Sequence, residues 1–152
     1  MSLFDEKAIM VMDALIAKYG LKDFQAAAVP GSFGRETGGF QFLHEMGQPR
    51  GRGGYGWGQW TGSRRIDFLN YCYDHNYDWV SDEANLNYFL ADLDKHYRFL
   101  PPMLKRSTNL HGAVEEFEHY YEGAGVVAMA DRYQWALKAL TAYRAANKEK
   151  PA

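Results

Sequence analysis

Between residues 38 and 59 the chain carries eight glycines, flanked on both sides by segments with helical spacing of their apolar residues. No other feature limits the fold as strongly. Glycine disfavours helix and strand interiors alike, so this span predicts a long structured loop, with room for a small hairpin. Loops of such length without regular structure are usually functional or disordered. Phe40, Phe42, Tyr55 and Trp57 within it favour order. Ahead of the loop, Ala8, Ile9, Met12, Leu15 and Ile16 repeat with helical period from Asp5 to Tyr19, and Gly20 is placed to cap that helix. Asp23 is expected to cap a second helix through Ala28, which Pro30 kinks before it continues to Glu36 and stops at Gly38-Gly39. After the loop, Ile66, Leu69, Asn70 and Tyr73 predict one helical face. A longer helix is expected from Ser81 to Phe99, ended by Pro101-Pro102, and another from Asn109 to Tyr121. The last runs from near Val127 to Ala146, with Tyr133, Ala136, Leu137, Leu140 and Tyr143 inward. About six helices around one irregular loop is therefore the expected fold: mostly α, one domain over residues 1–152.

Composition excludes several functions. The net charge is -2, against the basic excess of a nucleic-acid binder, and the nearest basic group is Arg50, Arg52, Arg64 and Arg65. Cys72 is the one cysteine, so neither an internal disulfide nor a cysteine zinc cluster forms, and its place on a helix suits a buried inert thiol. His44, His75, His96, His111 and His119 follow no metal-ligand spacing, and no phosphate or dinucleotide fingerprint occurs, so neither metal nor cofactor is expected. The opening residues carry acids before any apolar run, which predicts no signal peptide. No apolar stretch is long enough to span a membrane.

Chemistry concentrates between Gly31 and Arg65. Glu36 closes a largely apolar helix. A carboxyl against apolar side chains keeps its proton, and a helix C-terminus disfavours its charge. Such a group can serve as a general acid, and its replacement by glutamine is expected to raise stability slightly. The plain alternative is a solvated glutamate in a last turn. Residues Tyr55 to Thr61 and Gly62 pack two tryptophans among three glycines. Aromatic faces beside exposed backbone and the Gln59 amide are hardware for holding a sugar. The alternative is a glycine-rich turn whose Trp57 and Trp60 plug the core. Arg64 and the neighbouring arginines would give a basic rim that steers an anionic polymer, or plain solvation.

These two pieces, Gly31-Ser32-Phe33-Gly34-Arg35-Glu36-Thr37-Gly38 and Gly54-Tyr55-Gly56-Trp57-Gly58-Gln59-Trp60-Thr61-Gly62-Ser63-Arg64-Arg65, resemble the phage tail lysozyme family of the lysozyme superfamily. Goose-type lysozymes and lytic transglycosylases are relatives. The likeness continues through Asn85-Leu86, Asp92-Leu93, Phe117, Tyr121, Glu122, Gly125, Arg132 and Ala136, with Ser32, Asn85 and Asp92 departing from the usual residues. It implies a lysozyme-like fold and peptidoglycan glycan strands as substrate. Glu36 would be the catalytic acid, and Tyr55, Trp57, Gln59, Trp60, Thr61 and Arg64 would line the cleft. Glu45 is the nearest second carboxyl in the sequence. Asp67, Glu118 and Glu122 are more distant candidates, each read first as a surface or packing residue. A muramidase of the endolysin type is expected, acting as a monomer. It would be made in the host cytoplasm and would reach the periplasmic wall through a holin-type opening, with a tail-associated or injected role as the other route. Lytic transglycosylase chemistry with anhydro products, a non-catalytic wall-binding module and a chitinase-like glycosidase stay open.

Overall fold

Residues 1–148 are described by a computed structural model, in which eight α-helices and one π-helical turn account for the regular structure. Helix α1 covers Leu3–Tyr19. The Ser2 hydroxyl caps its start by accepting from the Asp5 N–H at 3.1 Å, and Gly20 closes it in the left-handed region at φ 69°, as expected. The single kinked helix expected next is two helices, α2 at Asp23–Ala26 and α3 at Ala28–Thr37. The break lies upstream of Pro30 because a proline ring collides with the carbonyl four residues earlier, here Ala26. Within α3, Pro30 occupies the first turn, where its missing N–H has no partner to lose. Lys22, not Asp23, is the N-cap of α2, and Asp23 pairs with Arg144 at 2.9 Å instead.

After the loop come α4 at Gly62–Asp74 and α5 at Asp82–His96. Phe68 and Cys72 form the buried face of α4, while Ile66 and Tyr73 are exposed. The inner face is thus rotated from the one expected, because Phe68 packs its ring 4.7 Å from that of Trp60, tilted, and 5.1 Å from that of Tyr88, edge to face. Pro101-Pro102 do not end α5. They lie in the first turn of a short helix, α6 at Leu100–Lys105, a place where proline is well accommodated. Helix α7, Leu110–Phe117, widens into the π turn Glu118–Glu122, which Gly123 ends at φ 53°. Helix α8 covers Met129–Lys148, burying Arg132, Ala136, Ala139 and Leu140 but leaving Leu137 exposed. The short helices α2 and α6 explain why more segments occur than the hydrophobic pattern announces.

Helix α3 is the centre of the packing, with every residue from Ala28 to Gly34 buried. It lies against α1, α7 and, most extensively, α8. Gly31 makes this possible: a Cβ there would stand 2.6 Å from the Cβ of Ala136. Phe33 extends from α3 into an aromatic cluster, its ring 5.0 Å from Phe89, 6.1 Å from Phe117 and 6.1 Å from Trp57. Trp57 ties the glycine-rich loop to that cluster. The loop itself is ordered by two isolated antiparallel bridges, His44 with Tyr55 and Tyr55 with Trp60. The fully buried Asn85 clamps it from α5. Its Oδ1 accepts from the Trp57 N–H at 2.9 Å, and its amide donates to the Trp79 and Ser81 carbonyls at 2.9 and 2.8 Å. No helix among the described residues is long and apolar enough to cross a membrane.

Candidate active site

Glu36 sits in the last turn of α3, where Gly38 turns the chain at φ 59° and donates its N–H to the Gly34 carbonyl. The Thr37 hydroxyl fixes this corner, donating to the Phe33 carbonyl at 2.6 Å and accepting from the Phe40 N–H at 2.7 Å. The Glu36 side chain is half-buried, 21 % exposed, and faces a charge rather than the expected apolar wall. Arg132 of α8, itself 1 % exposed, donates from Nη2 to Glu36 Oε1 at 2.7 Å. The same guanidinium donates from Nε to the Val127 carbonyl at 2.7 Å. Arg132 is therefore a buried post that sets the direction of Glu36.

Beside this pair opens a cleft of about 260 Å³. The end of α3 contributes Glu36 to it, the loop contributes Glu45, Gly58 and Gln59, and the start of α4 contributes Thr61 and Arg64. The far wall is Glu122 with Gly123, Ala124 and Gly125. Glu45 is exposed, with its carboxylate accepting from the Gly54 N–H at 3.4 Å. Gln59 is held at φ 47°, and its amide donates to the carbonyls of Leu43 at 3.1 Å and Gly56 at 2.9 Å. Both amide hydrogens are thus used within the loop, and the amide oxygen is what Gln59 can offer a ligand. Arg64 donates to the Tyr121 carbonyl at 3.0 Å and lies 4.5 Å from the Tyr121 ring, so it braces the wall as well as charging it. Arg65 reaches the Gly53 carbonyl at 3.1 Å.

Glu122 is the group on which sequence reasoning was thinnest. It ends the π turn, and its Oε1 is buried without a hydrogen-bond partner. Burial pushes its carboxyl up to about 8, the charge of Glu36 adds to the rise, and the Arg132 and Arg64 guanidiniums oppose it. A carboxyl in a low-dielectric site beside another carboxyl keeps its proton in this way. The signal available in the sequence was its place just before Gly123 and Gly125. Distance along the chain from Glu36 concealed the meeting.

The aromatic residues of the loop are placed elsewhere. Trp57 and Trp60 are 0 % and 1 % exposed and stand in the core, not on the cleft wall. Trp60 Nε1 donates to the Tyr121 hydroxyl at 3.1 Å, and that hydroxyl donates to Asp92 at 2.8 Å. Tyr55 is buried too, its ring 4.8 Å from Trp79 and 4.2 Å from His44. The neighbouring glycines serve the indoles: a Cβ on Gly56 or Gly58 would come within 2.6 or 2.5 Å of the Trp60 ring. Asp67 lines a separate groove between α4 and α5, and Glu118 is buried behind Glu122 with Oε2 unpartnered. Cys72 is buried, its thiol pushed up to about 11 chiefly by that burial. Among the described residues no cluster of His, Cys, Asp and Glu could hold a metal ion.

What the cleft offers is a fixed carboxylate on a guanidinium, a second carboxyl that keeps its proton, and hydrogen-bonding groups from four distant parts of the chain. Two carboxyls with contrasting environments are what acid-catalysed cleavage of a glycosidic bond requires. No curated protein matches the chain. Residues 6–143 match the family described as phage tail lysozyme, which spans all the cleft residues. The chain belongs to the phage tail lysozyme family, and its role is the lysozyme-like one of degrading peptidoglycan.

Proposed function

We propose that this protein is a muramidase that cleaves the bond between N-acetylmuramic acid and N-acetylglucosamine, with Glu36 as the general acid. The observation that carries this reading is the half-buried Glu36 carboxyl at the mouth of the cleft, oriented by Arg132 through Oε1. Glu36, ionised against Arg132 in the free protein, takes up a proton on Oε2 as the bound glycan shuts out water, and passes it to the glycosidic oxygen. As that proton moves, the C–O bond breaks and positive charge builds on the sugar ring, beside the resulting Glu36 carboxylate. Water attacks the anomeric carbon and passes its proton to Glu45, which lines the same cleft. Gln59, Thr61 and Arg64 hold the glycan. Tyr55, Trp57 and Trp60 contribute by keeping the loop in shape, since their rings are buried.

Residues 1–152 would act as one catalytic domain and as a monomer, and no cofactor is required by this chemistry. The biological setting proposed is that of an endolysin released from the host cytoplasm to the wall. Action from a phage tail is the second reading, favoured by the description of the family. The decisive experiment is digestion of purified sacculi followed by mass analysis of the fragments. Reducing muramic ends are expected. Anhydro ends, lighter by one water, would assign the attack to the substrate's own 6-hydroxyl and remove Glu45 as the base. Release of no soluble fragments would remove the proposed function.

A further inference from the structure

Glu122 lines the cleft, yet the proposed reaction leaves it without a task. Its buried Oε1 has no partner within the protein. Buried polar atoms are nearly always paired, so an orphaned Oε1 at a cleft marks a carboxyl the fold does not use, whose other oxygen, Oε2, is the one a ligand can reach. The groups facing it are Glu36 from α3, Arg132 from α8, Arg64 from α4 and Glu118 from its own turn, with Glu45 of the loop lining the same cleft. Burial first, and then the Glu36 charge, keep the proton on Glu122 at neutral pH. A protonated carboxyl is a donor as well as an acceptor.

We propose that Glu122 binds substrate as a neutral carboxylic acid, donating its O–H to the carbonyl oxygen of an N-acetyl group on the glycan. This rests on the reading of the cleft as a glycan site and adds the group that recognises the sugar. A carbonyl is the fitting acceptor, because a ligand carboxylate would meet the carboxyls of Glu36 and Glu45 in the same space. Gln59 completes the match. Its amide hydrogens are committed to Leu43 and Gly56, so its oxygen accepts from the N–H of the acetamido group while Glu122 donates to the C=O. The cleft thus sets one donor and one acceptor against an amide. No bond is broken at Glu122, which separates its task from that of Glu36.

The test is calorimetric binding of the N-acetylglucosamine tetramer to the wild type, Glu122→Gln and Glu122→Leu, at about pH 6 and about pH 9.5, with melting recorded for each. Wild-type affinity should fall about 30-fold between the two pH values, the loss of protonated fraction for a group titrating near 8. Glu122→Gln keeps an N–H donor that does not titrate, so it should bind within a factor of about 3 of the wild type at the lower pH and keep that same affinity at the higher. Glu122→Leu should bind at least about 10-fold more weakly than the wild type at the lower pH and show no pH dependence of its own. If the leucine variant does not fold, the pH independence of the glutamine variant still decides. Three results overturn the assignment: no tetramer binding by the wild type, no pH dependence of that binding, or full binding by Glu122→Leu. A fourth is loss of sacculus digestion in Glu122→Gln as complete as in Glu36→Gln, which would make Glu122 a proton-transfer group. Tetramer binding as described, without muropeptide release by the wild type, would remove the proposed function and leave this assignment in place.

Discussion

Replacing Glu122 by glutamine should make the protein more stable, by an amount that grows with pH. The wild-type carboxyl rises from 4.5 in the unfolded chain to about 8 in the fold, chiefly through burial. Below about pH 4.5 both states of the wild type hold this proton, and the two proteins should be nearly equal. Between 4.5 and 8 the unfolded chain releases the proton while the folded chain keeps it, so wild-type stability declines across that window. Above 8 both states are ionised and the deficit stays constant. The full rise corresponds to about 5 kcal/mol, an upper bound because the cleft is open to water that relaxes around the charge. A gain of about 2–5 kcal/mol for Glu122→Gln at pH 8, shrinking to near zero at pH 4, is the expected outcome. Urea unfolding followed by circular dichroism at both pH values and one between measures it. Groups that titrate alike in the two proteins cancel in the difference. A stability gap that stays level from pH 4 to pH 8 refutes the reasoning, since a carboxyl perturbed by burial cannot produce it.

Glu36→Gln should reduce muropeptide release by about 10²–10⁴ while the protein still folds. Its stability should fall by about 1–3 kcal/mol, against the small gain foreseen from the sequence, because the buried Arg132 loses its charged partner; melting and activity on one preparation check both. Gly31→Ala, whose added methyl meets Ala136 at 2.6 Å, should lower stability by about 1–3 kcal/mol and be visible as a melting point several degrees down. Trp60→Ala should act through folding, at about 3–5 kcal/mol, with residual activity tracking the folded fraction; weakened glycan binding in fully folded protein would return the ring to the cleft.

Much of the fold was open to reading from residues alone because its signals are local. Gly20 and Gly38 end helices in the left-handed region where a cap was expected, and the loop between α3 and α4 is where eight glycines put it. Glu36 was legible as a carboxyl in the last turn of a helix, since Gly38-Gly39 follow it. Its partner was not, because Arg132 stands ninety-six residues away and reads as an ordinary helix arginine. Glu122 was obscured for the same reason: its approach to Glu36 across one cleft is a property of tertiary packing. The tryptophans misled for a different one. Glycine beside an aromatic residue signals close approach, but the pattern cannot say whether a ligand or an indole is what approaches. Here Gly56 and Gly58 make room for Trp60. Period alone also placed the inner face of α4 on Ile66 and Tyr73, whereas the contacts of Phe68 with Trp60 and Tyr88 decided its rotation.

The pairing of Glu36 with Arg132 also orders events during synthesis. A ribosome produces Glu36 early, together with the loop and Gln59, and produces Arg132 only after nearly all of the described chain. Until α8 emerges and closes on Gly31, α3 lacks the surface that buries it and its terminal glutamate lacks the post that aims it. Unfinished chains and chains cut short before α8 therefore carry every residue of the cleft without its geometry. Competent molecules are therefore expected only once α8 has been made, and the segment before α8 is the natural place to divide the described residues into two unequal pieces, each expected to be inert until mixed with the other.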